Sequence, residues 1–141
     1  MKSAAELTEV FRAQGLKVTP QRLAIFEALQ ADTGHPTAET VFDRVVGEQP
    51  TMSLRTVYQT LNDLVGMGEL HQLDLGNGPA RFDTTIDAHH HVMCESCGVV
   101  ADVHADFTAI ELPATLADQF SVTTTEVVFR GRCSRCATKT V

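Results

Sequence analysis

Two Cys-x-x-Cys pairs, Cys94/Cys97 and Cys133/Cys136, use up all four cysteines of the chain and are separated by 35 intervening residues. Two residues between cysteines let a tight turn aim both sulfurs at one ion about 2.3 Å away, and a second such turn closes a tetrahedron. The spacing therefore predicts a structural zinc site that staples the C-terminal third, a stretch otherwise too small to bury much. A disulfide framework is the competing use of four cysteines. The repeated spacing and the lack of any sign of secretion disfavour it.

Just upstream lies Asp87-Ala-His-His-His-Val-Met-Cys94. Read as a strand, this segment puts His89, His91 and Met93 on one face and His90, Val92 and Cys94 on the other. The segment Val99–Val103 alternates likewise and would set Asp102 beside the histidine face. Two imidazoles and a carboxylate suit a divalent metal such as iron, manganese or zinc. A surface histidine cluster with no ligand role is the plainer alternative, and spacing alone leaves both open.

A chain of 141 residues, 43% hydrophobic, is long enough to bury a core in one domain or two small ones. The N-terminus runs into a charged helical pattern rather than a signal peptide, and no apolar run is long enough to span a bilayer. A cytoplasmic protein with reduced thiols and no membrane partner is the expectation. Net charge is −7, and residues 1–87 carry seven Lys or Arg against twelve Asp or Glu. Such a balance excludes a strong nonspecific nucleic-acid binder. DNA binding, if present, rests on a few well-placed cations or on a bound dication.

In chain order, Leu7, Val10 and Phe11 mark a first helix, ended by Gly15. Thr19-Pro-Gln-Arg22 offers an N-cap threonine with proline at the first helical position, and Leu23, Phe26 and Leu29 form its stripe. Ala38, Val41, Phe42 and Val45 mark a third helix. Ser53 caps a fourth, Leu54 to about Met67, with apolar face Leu54, Val57, Tyr58, Leu61, Leu64 and Val65. Its other face carries Arg55, Thr56, Gln59, Thr60 and Asn62, groups able to bond phosphates and base edges. Glu69–Leu75, the turn Gly76-Asn-Gly-Pro79 and Ala80–Thr84 then read as a β-hairpin. Helices followed by such a hairpin make the winged form of helix-turn-helix, although a polar helix face is often merely solvated.

Beyond residue 88, two short strands precede Asp106–Gln119, where Pro113 must break, kink or start a helix. Val122–Arg130 reads as a third strand. The expected class is α+β: a winged helix-turn-helix domain at 1–84, a hinge at 85–88, and a C-terminal α/β dimerisation domain at 89–141 with a small antiparallel sheet. A sheet with few strands and an apolar edge commonly pairs with its own copy, which predicts a homodimer.

Val18-Thr-Pro-Gln-Arg22, His35-Pro-Thr-Ala-Glu39, Ser53-Leu-Arg-Thr-Val-Tyr58, Arg81-Phe-Asp83, His89-His-His91 and both cysteine pairs together resemble the ferric uptake regulator (Fur) family of metal-dependent bacterial transcriptional regulators, and most nearly its peroxide-sensing PerR branch. The resemblance implies structural zinc on Cys94, Cys97, Cys133 and Cys136. It also implies a regulatory iron(II) or manganese(II) site of His35, Asp83, His89, His91 and Asp102. Of these, His35 and Asp83 lay beyond the reach of spacing. The partner implied is a palindromic duplex operator read through Arg55, Thr56, Tyr58 and Gln59. In the family, aspartate at the position of Asp83 goes with peroxide sensing, through oxidation of His35 or His89 to 2-oxo-histidine. The additional metal site of iron regulators uses histidines absent here, since Ala88 precedes the His run and no His follows His104. A metal-uptake regulator of the same family is the near alternative.

Two readings from other classes stand beside it. A non-haem metalloenzyme would use the His/Asp cluster for catalysis, but no acid or base partner is identifiable, and the deaminase pattern of His-x-Glu with Pro-Cys-x-x-Cys is absent. A zinc-stapled interaction module would suit the acidic charge and leave the wing unexplained.

Overall fold

The computed structural model describes residues 1–76 and 78–138. It divides into two compact units, Met1–Asp87 and Ala88–Val141, each taken by itself below.

In the first unit, four helices run in order: α1 (Ala4–Ala13), α2 (Pro20–Gln30), α3 (Ala38–Val45) and α4 (Leu54–Gly66). Each begins at a residue whose side-chain oxygen accepts an otherwise orphaned backbone N–H, namely Ser3, Thr19, Thr37 and Ser53. Ser3 and Glu6 complete a reciprocal capping box, and Pro20 opens α2 where a missing N–H costs nothing. Past α1 and α4 the chain turns through Gly15 and Gly68, both at φ 74°, a left-handed conformation that glycine adopts without a Cβ clash. The buried stripes of all four helices meet in one cluster that includes Leu7, Phe11, Phe26, Val41, Leu61 and Phe82. Phe11 and Phe26 pack edge to face at 4.9 Å.

Strands β1 (His71–Leu73) and β2 (Arg81–Asp83) form the expected hairpin, antiparallel with Gln72 opposite Phe82. Asn77 of the anticipated turn lies outside the described residues. Phe82 also donates its N–H to Pro36 O at 2.9 Å, and Arg81 Nη1 donates to His35 O at 3.2 Å. β2 is thereby tied to the loop that precedes α3.

The face of α4 differs from the pattern in three places. Leu54 and Tyr58, assigned to the apolar stripe, are exposed, whereas Thr60, assigned to the polar face, is buried. Threonine tolerates burial here because its hydroxyl donates to Thr56 O at 2.8 Å and its methyl packs as valine would. An apolar stripe drawn from helical period alone is wider than the surface that α3 can cover.

The second unit holds β3 (His90–Cys94), β4 (Val100–Val103) and β5 (Val128–Gly131) in the order β4-β3-β5. The hairpin β3–β4 is antiparallel, but β5 joins the other edge of β3 in parallel. The sheet is therefore mixed, because residues 104–127 are a link long enough to carry the chain back to the starting end of β3. Only α5 (Ala114–Ala117) becomes α-helical within Asp106–Gln119, starting directly after Pro113. The third strand begins at Val128 rather than Val122. A further short helix, α6 (Ser134–Ala137), carries Cys136. Met93 and Cys94 are the buried hydrophobic residues of this unit among those described, while Ile110, Leu112, Leu116, Phe120, Val122 and Phe129 are exposed.

Candidate metal centres and nucleic-acid interface

The cysteine quartet is assembled at one end of the mixed sheet, where the parallel strands β3 and β5 both finish. Cys94 closes β3, and a turn returns the chain through Gly98 at φ 76°, with Gly98 N–H on Cys94 O at 2.8 Å. Cys133 caps α6, placing Cys136 one turn along. Glu95 N–H bonds Gly131 O at 2.8 Å, which brings the two turns side by side. One sulfur from each of Cys94, Cys97, Cys133 and Cys136 then lies within 4.8 Å of the others, and Cys97 Sγ stands 3.8 Å from Cys133 Sγ. Four sulfurs tetrahedral about one ion at about 2.3 Å are about 3.8 Å apart, so the quartet fits zinc. No disulfide links these thiols.

Their electrostatics suit a cation. Backbone N–H groups of Cys133 and Cys97 hold the Cys94 thiol down at about 6, and the Cys133 N–H reaches Cys94 Sγ at 3.3 Å. Cys133 is likewise lowered, chiefly by the backbone N–H of Cys136. Cys136 is pushed up to about 12, first by its hydrogen bond with Cys133. Packing thiols this closely makes the first ionisation easy and the last one hard, an opposition that a dication removes.

A second group of ligand-type side chains forms on the same sheet. The β3–β4 register sets His91 directly opposite Asp102. Asp102 Oδ1 lies 3.1 Å from His89 Nε2 and 3.5 Å from His91 Nε2, and the two imidazole centroids are 4.6 Å apart. Neighbouring ligands about 2.1 Å from one ion at right angles are about 3 Å apart, so this trio has the span of one face of a coordination shell. His90 points elsewhere, its Nδ1 accepting the N–H of Val127 at 3.0 Å. His104, which spacing did not single out, stacks on His89 at 5.4 Å.

Within the first unit, His35 and Asp83 meet although 47 residues separate them. His35 Nε2 is 3.3 Å from Asp83 Oδ2. The bonds from β2 to His35 O and Pro36 O hold the two segments together, and Thr85 N–H bonds Asp83 Oδ1 at 2.8 Å. Spacing could not reveal this pair, because it arises from the wing strand docking on a distant loop.

On α4, Arg55, Tyr58 and Gln59 are exposed and Thr56 is half-buried. Thr56 donates its N–H to Ser53 Oγ, and the two hydroxyls are hydrogen-bonded at 2.9 Å, so Thr56 also serves the cap. Tyr58 Oη donates to Glu39 Oε1 at 2.9 Å. That bond raises the phenol's pKa above its ordinary value. Glu39 was quoted only as the end of a motif, and its position in the first turn of α3 is what brings it to α4.

Comparison with known proteins finds relatives over most of the chain. The model of the ferric uptake regulator family matches residues 13–130. The peroxide operon regulator of Bacillus subtilis (strain 168) is 33% identical over 135 residues, covering 95% of this chain and 93% of that protein. Among solved structures, the Vibrio cholerae ferric uptake regulator is 27% identical at a TM-score of 0.72, spanning 90% of this chain and 99% of that one. PerR from Streptococcus pyogenes, described for peroxide sensing and gene regulation, is 29% identical at a TM-score of 0.56, with 96% and 94% covered.

Proposed function

The chain belongs to the ferric uptake regulator family, and from that premise we propose that it is a metal-dependent, DNA-binding transcriptional repressor that senses hydrogen peroxide. The observation that carries the proposal is the trio His89, His91 and Asp102, held to the span of a shared metal by the β3–β4 register. Likeness to the B. subtilis peroxide operon regulator over 95% of this chain supports the peroxide branch, as does the aspartate at position 83.

In this reading the zinc quartet, Cys94, Cys97, Cys133 and Cys136, is structural and ties together the chain segments that leave β3 and β5. The pair His35 and Asp83 and the trio His89, His91 and Asp102 serve one regulatory iron(II) or manganese(II). Residues 1–84 act as a winged DNA-binding domain, 85–88 as a hinge and 89–141 as the dimerisation domain. The exposed apolar residues Leu112, Leu116, Phe120 and Val122 cover one another in a homodimer. Arg55, Thr56, Tyr58 and Gln59 then face two half-sites of a palindromic duplex in the cytoplasm. No helix is long and apolar enough to cross a membrane among the described residues.

Ligands drawn from both sides of the hinge make the switch thermodynamic. Orientations of the winged domain that do not match a duplex are populated when the ligands are apart. Selecting the matched one raises apparent DNA affinity by the conformational penalty removed. Placing five ligands, two of them carboxylates, around a dication also offsets local negative charge. When bound, ferrous iron supplies one-electron reduction of hydrogen peroxide beside its ligands. The oxidation would fall on His35 or His89, whose ring would gain one oxygen as 2-oxo-histidine while the peroxide leaves as water, and a ring so altered would no longer hold its place in the shell.

Mass spectrometry of ferrous-loaded protein exposed to peroxide tests this. A gain of one oxygen on His35 or His89, together with loss of DNA affinity, is expected, and manganese-loaded protein should show neither. Ferrous protein that keeps its DNA affinity after peroxide overturns the sensing role. The metal-uptake regulator, which the likeness to V. cholerae Fur favours, then becomes the reading.

A further inference from the structure

We propose that Glu39 fixes the hydrogen-bonding polarity of Tyr58, so that the phenol oxygen meets DNA as an acceptor and selects a base-edge amino group, adenine N6 or cytosine N4. The inference rests on the regulator reading and names what one side chain of the exposed α4 face recognises.

A tyrosine hydroxyl has one proton to donate and lone pairs to accept with. Here the proton is committed, because Tyr58 Oη donates to Glu39 Oε1 at 2.9 Å. Glu39 lies in the first turn of α3, just after the Thr37 cap, where the helix dipole favours a carboxylate. An ionised carboxylate holds the phenol proton more tightly than a neutral acceptor does. The raised phenol pKa has that same bond as its first cause. What remains available toward a ligand is a phenol oxygen offering lone pairs alone.

Such an oxygen discriminates sharply. In the major groove the donors are the exocyclic amino groups of adenine and cytosine, whereas guanine N7 and O6, thymine O4 and every phosphate oxygen are acceptors. An acceptor facing an acceptor is unfavourable, and the Glu39 charge adds repulsion toward phosphate. Tyr58 is exposed on the face that carries Arg55, one turn earlier, and Arg55 bears the cation that a phosphate or guanine needs. The two side chains divide the work: the arginine takes acceptors and the tyrosine takes a donor. A free phenol would turn its proton to either and select neither.

The chain has one tyrosine and no tryptophan, so its near-ultraviolet absorbance reports Tyr58 alone. In the free protein, Glu39→Ala is expected to lower the phenol's titration midpoint. For recognition, manganese-loaded wild type is first used to select a duplex from a randomised pool. Each adenine of that duplex is then replaced by purine, which lacks the N6 amino group, and each cytosine by an analogue lacking N4. At one position per half-site the wild type should lose affinity about 5- to 10-fold, the scale of one base-edge hydrogen bond. Tyr58→Phe should show no such loss there, and Glu39→Ala should show a reduced one. The readout is a ratio between two duplexes, so the general gain in affinity from removing a negative charge cancels. Equal ratios in wild type and Tyr58→Phe overturn the acceptor role, and a wild-type ratio or an unmoved titration in Glu39→Ala overturns the role of Glu39. If manganese-loaded wild type selects no duplex at all, the regulator reading falls and takes this inference with it.

Discussion

At the scale of single residues, the chemistry turns on carboxylates placed against imidazoles. Asp102 Oδ1 reaches both His89 and His91, so one side chain sets the span of the trio. Asp102→Ala is expected to weaken manganese binding by at least about tenfold, since even groups that only orient a ligand are worth ~10–100-fold in metal affinity. Zinc content should stay at one per chain, and titration calorimetry with elemental analysis reads both quantities. Undiminished manganese affinity would remove Asp102 from the regulatory shell. Alternation of Val99–Val103 was enough to suggest this aspartate from the sequence. His35 and Asp83 were not accessible that way, because nothing local to either residue signals that β2 docks on the loop before α3.

Among the elements, α4 shows how a cap and a stripe define a helix without defining its neighbours. Ser53 and the period of Val57, Leu61 and Leu64 were legible from residue types and spacing alone. Which flank remains uncovered was not, since Leu54 and Tyr58 are apolar or aromatic and yet exposed. Arg55→Ala, on that uncovered flank, should cost roughly 1–3 kcal/mol of operator affinity while leaving manganese affinity intact. Fluorescence anisotropy with a labelled duplex, run beside manganese titration, measures both. An unchanged affinity for DNA would move recognition away from α4. The C-terminal sheet teaches the same lesson in strands: valine-rich segments mark β4 and β5, but the direction of β5 depends on how residues 104–127 travel.

For the whole molecule, the two units are stabilised by different means. The first buries a large apolar cluster running from Leu7 to Phe82, ample for a small domain. The second buries no hydrophobic side chain beyond Met93 and Cys94 among the described residues, so the proposed zinc and partner copy would carry much of its order. An apparent zinc contribution on the order of 10 kcal/mol exceeds the stability of most small domains. Cys133→Ser is therefore expected to lose zinc, dimerisation and the strand signal of circular dichroism, while the helical signal largely persists. A folded dimer without zinc would sink the structural role. Phe120→Glu puts a charge into the exposed apolar set of Ile110, Leu112, Leu116, Phe120 and Val122. Sedimentation equilibrium should find that variant monomeric and still zinc-loaded, and an intact dimer would place the interface elsewhere.

What the sequence determined by itself is everything encoded at short range. Capped helices, the hairpin after them and the zinc quartet follow from residue types at fixed spacing, because caps, turns and Cys-x-x-Cys knuckles are closed by neighbours in the chain. The family resemblance extended that reach to His35 and Asp83 by analogy rather than by physics. Only the tertiary structure decided that β5 runs parallel to β3, that His35 meets Asp83, and that Glu39 takes the proton of Tyr58. Each of these joins segments far apart in sequence, and their pairing is set by which surfaces the core leaves available rather than by any local preference.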